Sequence, residues 1–170
     1  DLEMQIIPIQ NITQLLNHIK HEETIAPAET WIPKTEEDYP FDFSDAKGQQ
    51  SVKRVLEICA AGGHNLLMLG SKGSGKTMLG KRVISILPKM TKQEQIETTQ
   101  IYSVANLTND KNPVITTRPF QNPHHTISRV GLIGGVNKPG LISLSHNGIL
   151  YLDEVLEFPK SILESLRLRS

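Results

Sequence analysis

Asn65-Leu66-Leu67-Met68-Leu69-Gly70-Ser71-Lys72-Gly73-Ser74-Gly75-Lys76-Thr77 is the stretch on which the fold turns. It opens as a short continuous apolar run, the pattern of a strand buried on both faces of a parallel sheet. It continues as Gly, four residues, then Gly-Lys-Thr, which is the phosphate-loop pattern. A helix is predicted over Lys76–Leu87, ended by Pro88. Gly73 and Gly75 let the backbone curl so that successive N–H groups face inward and form an anion nest. The start of the helix adds positive charge. Lys76 then reaches the β- and γ-phosphates, and the Thr77 hydroxyl ligates Mg2+. Gly70, Ser71, Lys72, Gly73, Ser74, Gly75, Lys76 and Thr77, with Met78 after them, are the predicted nucleotide-binding stretch.

Downstream, Ile149-Leu150-Tyr151-Leu152-Asp153-Glu154 is a second buried strand with two adjacent carboxylates at its end. Parallel α/β sheets bind ligands at that edge. Asp153 is expected to hold Mg2+, directly or through water, and Glu154 to polarise the water that attacks the γ-phosphate. Alone, an apolar run ending in Asp-Glu can equally be a helix cap. The phosphate loop upstream favours the catalytic reading, with Lys76 and Glu154 as its catalytic pair.

Around these two signals the chain reads as three parts. Residues 1–20 hold a short strand, Gln5–Ile9, and a helix capped by Asn11 or Thr13, with Ile12, Leu15, Leu16 and Ile19 at helical spacing. Residues 21–43 are an acidic linker containing Pro27, Pro33 and Pro40, anchored on a neighbour by Trp31, Tyr39, Phe41 and Phe43. Residues 44–170 form the α/β part. There a helix over 48–61 puts Val52, Val55, Leu56 and Cys59 on one face and stops at Gly62-Gly63. Residues 91–105 are helical, Val114–Thr117 is a strand, 131–147 form a hairpin in which Ile142 and Leu144 alternate with polar residues, and Pro159–Leu168 is a short helix.

Composition narrows the class. The 170 residues are 38% hydrophobic and 21% charged, which excludes extended disorder, collagen-like structure and a disulfide scaffold. Cys59 is the single cysteine, so no intrachain disulfide forms, which fits a reducing, cytoplasmic compartment. No apolar run is long enough for a spanning helix, so no membrane partner is expected. The acidic start Asp1-Leu2-Glu3-Met4 is no secretory signal, and its lack of an initiator Met points to a piece of a longer protein. The net charge of zero hides an asymmetry. Residues 46–170 carry sixteen bases against eight acids, and residues 21–45 carry eight acids against Lys34 alone. A basic domain of this kind suits a polyanionic partner, nucleotide or nucleic acid.

Asp45-Ala46-Lys47-Gly48-Gln49, then a helix, then Ala60-Ala61-Gly62-Gly63-His64-Asn65-Leu66-Leu67 resembles the magnesium-chelatase-like branch of the AAA+ ATPases. Arg118-Pro119-Phe120-Gln121-Asn122-Pro123-His124-His125-Thr126 and Pro139-Gly140-Leu141-Ile142-Ser143-Leu144-Ser145-His146-Asn147-Gly148 resemble the ComM/YifB family. The resemblance covers residues 44–168. It implies a P-loop NTPase of AAA+ type, a three-layer α/β sandwich on a parallel sheet, cut before the sensor-1 strand and helical lid. It also implies a preceding Lon-protease-like domain of which residues 1–20 are the tail.

By the same resemblance the activity is Mg2+-dependent ATP hydrolysis in a self-associating ring, a hexamer, with DNA as the substrate in branch migration during natural transformation. Gly48 and Gln49 would lie near the adenine. Residues 127–147 would be an insertion facing the ring pore, with Lys138 near its apex. The alternatives are the ATPase subunit of a metal chelatase and a non-hydrolysing ATP switch. Enhancer-binding activators share the Asp-Glu strand, but their Gly-Ala-Phe-Thr-Gly-Ala loop is missing here. Two departures stand out: Ser71-Lys72 replaces the family's Pro-Pro, and the tail Arg167-Leu168-Arg169-Ser170 differs from the family's. In the AAA+ strand order 5-1-4-3-2, a strand beyond residue 170 separates those at 66–70 and 149–152, so unpaired edges are expected. Weak hydrolysis is expected too, because an arginine finger contributes roughly 10³–10⁵ in rate.

The histidines His124, His125 and His146 are read as packing or subunit-contact residues, because adjacent histidines diverge in a strand and no carboxylate completes a metal set. Cys59 is read as a buried thiol, and Arg118 and Arg129 as surface or packing residues.

Overall fold

Asn11 opens the first helix: its side chain accepts the Gln14 N–H at 2.9 Å, and α1 runs Ile12–Ile19. The computed structural model describes residues 5–28, 39–71, 73–109, 113–136 and 138–167. Two compact units are present, Asp1–Pro33 and Lys34–Ser170. In the first, α1 buries no residue, and Ile12, Leu16 and Ile19 are exposed. Gln5–Ile9 form no strand; one backbone bond, Ala28 N–H to Ile6 O at 2.7 Å, ties them to the end of the unit. A strand needs a partner ladder, and none is available within the unit's described residues.

The second unit is built on two apolar clusters. The first joins a 3-10 turn (Phe43–Asp45), α2 (Gln50–Gly62), α3 (Lys76–Arg82) and the 3-10 helix Val83–Ile86. Phe43, Ala46, Leu56 and Leu79 are its buried residues, with Val52, Met68, Val83 and Ile86 against them. Phe43 is pinned further by its N–H to Ser85 Oγ at 2.9 Å, and the Arg82 guanidinium lies 5.0 Å from the Phe41 ring. Two of the predicted anchors therefore do pack on a neighbour; Trp31 lies outside the described residues. On α2, Leu56 and Ala60 face inward, Val55 is exposed and Cys59 only half-buried, so the predicted apolar face is rotated. Gly63 caps the helix in the left-handed conformation, as the glycine pair implied.

The second cluster lies under α5 (Arg129–Ile133), α6 (Leu141–Leu144), α7 (Lys160–Arg167) and the sheet. Leu132, Phe158 and Ile162 are buried, and Leu150, Leu152, Leu163 and Leu166 pack on them. Burying each such side chain is worth about 1.5–3 kcal/mol. The sheet is two parallel strands, β1 (Phe120–Gln121) and β2 (Ile149–Leu150), in the register Phe120–Ile149 and Gln121–Leu150. The fold class is thus mixed α/β with a small parallel sheet. α4 (Lys92–Val104) starts on a Thr91/Glu94 capping box and packs on α6.

Several predicted elements differ. The run Asn65–Leu69 forms no strand, and Leu67 and Leu69 are 66% and 86% exposed. An apolar run marks a segment that gains from burial but cannot supply the neighbour that buries it. The strand predicted at Val114–Thr117 occurs instead at Phe120–Gln121, while Ile115 donates its N–H to Thr99 Oγ1 at 2.9 Å. Residues 131–147 are two short helices rather than a hairpin; the Gly134–Pro139 bridge is the one hairpin-like pairing described there. The Ile142/Leu144 alternation misled because both positions sit on one short helix, with Leu144 buried and Ile142 on the second cluster. The helix from Lys76 tightens to 3-10 after Arg82, where Ser85 Oγ donates back to Arg82 O at 2.9 Å.

Candidate functional site

Gly73 and Gly75 adopt φ values of 80° and 85°, a region that disfavours side chains, so the loop before α3 curls at both glycines. Lys76 turns back over this curl. Its Nζ donates to Gly70 O at 2.9 Å, Ser71 O at 2.8 Å and Ser74 Oγ at 3.3 Å. The α2 start joins the loop from the other side: Gln49 Nε2 donates to Ser74 O at 3.1 Å. Gly48 and Gln49 both hold left-handed backbone there. Between them lies an open cavity of about 430 Å³, bordered by Gln49, Val52, Leu67, Gly70, Ser74 and Lys76. Met78 is partly exposed beside Gly75, and Lys72 lies outside the described residues.

From the sheet side, the turn after β2 brings Asp153 to α3. The Thr77 hydroxyl donates to Asp153 Oδ2 at 2.9 Å, across 76 residues of sequence. Both side chains are half-buried. Glu154 is exposed, with its backbone in the left-handed region at φ 51°, and its N–H donates to Asp153 Oδ1 at 3.1 Å. The left-handed geometry turns the chain sharply at the second carboxylate and is costly for a residue with a Cβ. The structure therefore brings Thr77, next to Lys76 in the chain, together with Asp153, with Glu154 exposed after Asp153 and Gly48-Gln49 on the far side of the loop.

Two further features were not picked out from sequence, and a third was left without a definite role. Tyr151 lies against α3, and its phenol is pushed above the ordinary value, first by burial and also by the Asp153 charge, with a hydrogen bond to Thr77 opposing. Gly80 is the α3 residue it meets; a glycine inside a predicted helix was the signal that could have found it. The third is Arg118, which the sequence left between surface and packing roles. Its guanidinium pairs with both Glu94 oxygens at 3.0 and 3.3 Å and donates to Asn147 O at 2.7 Å and to Pro88 O. Arg118 thus ties the end of the first cluster and α4 to the turn that feeds β2. Arg129, by contrast, is exposed.

The His125 ring packs edge-on against Phe158, in keeping with a packing role, but the local setting of the histidines differs from expectation. His124 and His125 sit at a turn, not in a strand, and their rings lie 4.0 Å apart. His146 does have a carboxylate neighbour, Glu97 Oε2 at 3.4 Å, on α4. Among the described residues no three potential metal ligands of the His, Cys, Asp and Glu type come together, and no helix is long and apolar enough to cross a membrane.

This arrangement of loop, helix and carboxylate falls within a region shared with known proteins. The family described as "Magnesium chelatase, subunit ChlI" matches residues 42–169. Competence protein ComM of Haemophilus influenzae is 50% identical over 129 residues, 74% of this chain and 25% of that protein. Protein YifB of Escherichia coli is 46% identical over 128 residues, again 74% of this chain and 25% of its own length. A Mycobacterium tuberculosis protein is 43% identical over 129 residues, 74% of this chain and 26% of its own. The chain spans about a quarter of the length of these relatives. Since the matched region contains every described site residue from Gly48 to Glu154, the chain belongs to the magnesium chelatase subunit ChlI family, in its ComM/YifB-type branch.

Proposed function

We propose that this chain binds ATP with Mg2+ and hydrolyses it, as part of a ring-forming AAA+ motor of the ComM type that acts on DNA. The observation that carries this reading is the 2.9 Å contact of the Thr77 hydroxyl with the Asp153 carboxylate beside Lys76. Hard oxygen donors of this kind suit Mg2+. The loop suits a triphosphate: Lys76 already bonds oxygens across it, and nothing stands within 4 Å of a Cβ placed on Gly73, so a ligand can approach the backbone.

Thr77 and Asp153 would hold Mg2+, which would supply positive charge against the charge that develops on the phosphate. Lys76 exchanges its loop carbonyls for phosphate oxygens. Thr77 and Asp153 orient the cation side of the site. Glu154, exposed at the rim, accepts a proton from the attacking water at its carboxylate. Gln49 holds the loop from the base side. Action on DNA is supported by the excess of bases over residues 46–170 and by the relative described as a competence protein.

Titration calorimetry with Mg-ATP, beside Lys76→Ala, tests the nucleotide site. Saturable binding that Lys76→Ala weakens about a hundredfold is expected; a folded chain that binds no nucleotide overturns the proposal. Stimulation of phosphate release by branched DNA over mononucleotide controls tests the substrate, and ATP-dependent sedimentation tests the ring.

A further inference from the structure

Gly80 lies three residues beyond Thr77, on the same side of α3. It is buried, and a Cβ built on it would overlap Tyr151 Cε2 and stand 2.8 Å from Cδ2 and 2.9 Å from Cζ. The Tyr151 ring therefore rests directly on the helix backbone. The residue is tied to the neighbouring strand. Its own N–H donates to Gln121 O at 2.8 Å, and its ring stacks on Phe120 with centroids 6.2 Å apart and planes 21° apart. Two residues later comes Asp153, whose carboxylate meets Thr77. Glycine is disfavoured inside a helix relative to alanine, so its use at this point needs a local cause, and the ring supplies it.

We propose that Gly80 and Tyr151 are positioning residues: the ring seated on the glycine sets the distance between α3 and the end of β2, and so the Thr77–Asp153 spacing on which cation binding depends. Neither touches phosphate or water in this assignment. It rests on the nucleotide-site reading above and extends it to residues outside the phosphate loop and the carboxylate pair. A methyl group at position 80 pushes the ring and the strand end away from α3. A smaller side chain at 151 lets them close up or loosen. Both errors act on the same distance and should compensate each other.

The test is the ratio of ATP affinities with and without Mg2+, measured by calorimetry on the chain, with thermal unfolding to confirm that each variant is folded. Gly80→Ala and Tyr151→Leu are each expected to lower this ratio about tenfold, the scale on which supports behind metal ligands act. The double variant Gly80→Ala with Tyr151→Leu is expected to recover most of it. A merely structural role would lower both affinities together and leave the ratio unchanged. If a folded Tyr151→Leu keeps the wild-type ratio, the positioning role is overturned while the nucleotide site stands. If the wild-type chain binds ATP with no Mg2+ dependence, the cation site itself is overturned, and this proposal with it. Should Gly80→Ala fail to fold, the Tyr151→Leu ratio decides alone.

Discussion

The phosphate loop is held mainly by neighbours in sequence, with Gln49 joining it at Ser74. Lys76 bonds Gly70, Ser71 and Ser74, and the glycines at 73 and 75 fix the curl between them. The carboxylate end of β2 is held from far away, by Gln121 behind Tyr151, by Thr77 against Asp153 and by Arg118 at the turn before the strand. A loop of the first kind needs little beyond its own residues to take shape. A strand end of the second kind needs α3, α4 and β1 all in place. The first can tolerate change elsewhere in the unit, whereas the second passes on any disturbance in its supports to the cation ligand.

Substitutions at the two halves can break or sharpen that contrast. The largest effect is expected at the strand end. Glu154→Gln should lower kcat for ATP hydrolysis about 10²–10⁴-fold while leaving the nucleotide Kd nearly unchanged, as read by phosphate release and calorimetry. Equal turnover in the variant would remove the strand end from the chemistry. Next, Lys76→Ala should weaken Mg-ATP binding about a hundredfold, since charge-assisted bonds to phosphate are lost. If Asp153→Asn instead matches or exceeds that loss, the local half is not the dominant binder.

A third comparison concerns stability. Arg118→Ala should cost about 2–3 kcal/mol in denaturant unfolding, because Glu94 and the carbonyls it satisfies lose their partner. Leu69→Ala, at an 86% exposed residue beside the loop, should change stability by less than about 0.5 kcal/mol. Similar costs for the two would mean that the run is buried in solution.

A further small effect is in acid. The Glu94 carboxyl is held below its ordinary value of 4.5, first by the Thr91 backbone N–H and further by Arg118, with burial opposing. A depressed folded value means that this group's contribution is fully present above 4.5 and fades as pH falls from there through the folded value. Glu94→Gln should flatten that part of the acid-unfolding curve, by under about 1 kcal/mol. An unchanged slope would show that other carboxylates carry the acid response.

The same division explains what the sequence disclosed. The loop, the helix start at Lys76, Asn11 as one of two candidate caps and the glycine stop at Gly63 were legible, because each depends on residues a few positions apart. The Thr77–Asp153 meeting was legible only as a pairing of two motifs. Asn65–Leu69, Val114–Thr117 and residues 131–147 were misread because strand identity is decided by a partner that periodicity does not name. Tyr151 read simply as one apolar position in a strand, and Arg118 as a surface or packing residue. Their roles come from what Gly80, Glu94 and Asn147 present to them, which spacing along the chain does not encode.

The Arg118 junction also bears on the order of assembly. Its partners lie 24 to 30 residues away on both sides, so it forms only after two long loops have closed. Closure of that kind is slow compared with a helix cap or a glycine curl. During refolding the phosphate loop should therefore take shape early and the Asp153 ligand late. The interval between them should show as a species that accepts nucleotide before it responds to Mg2+.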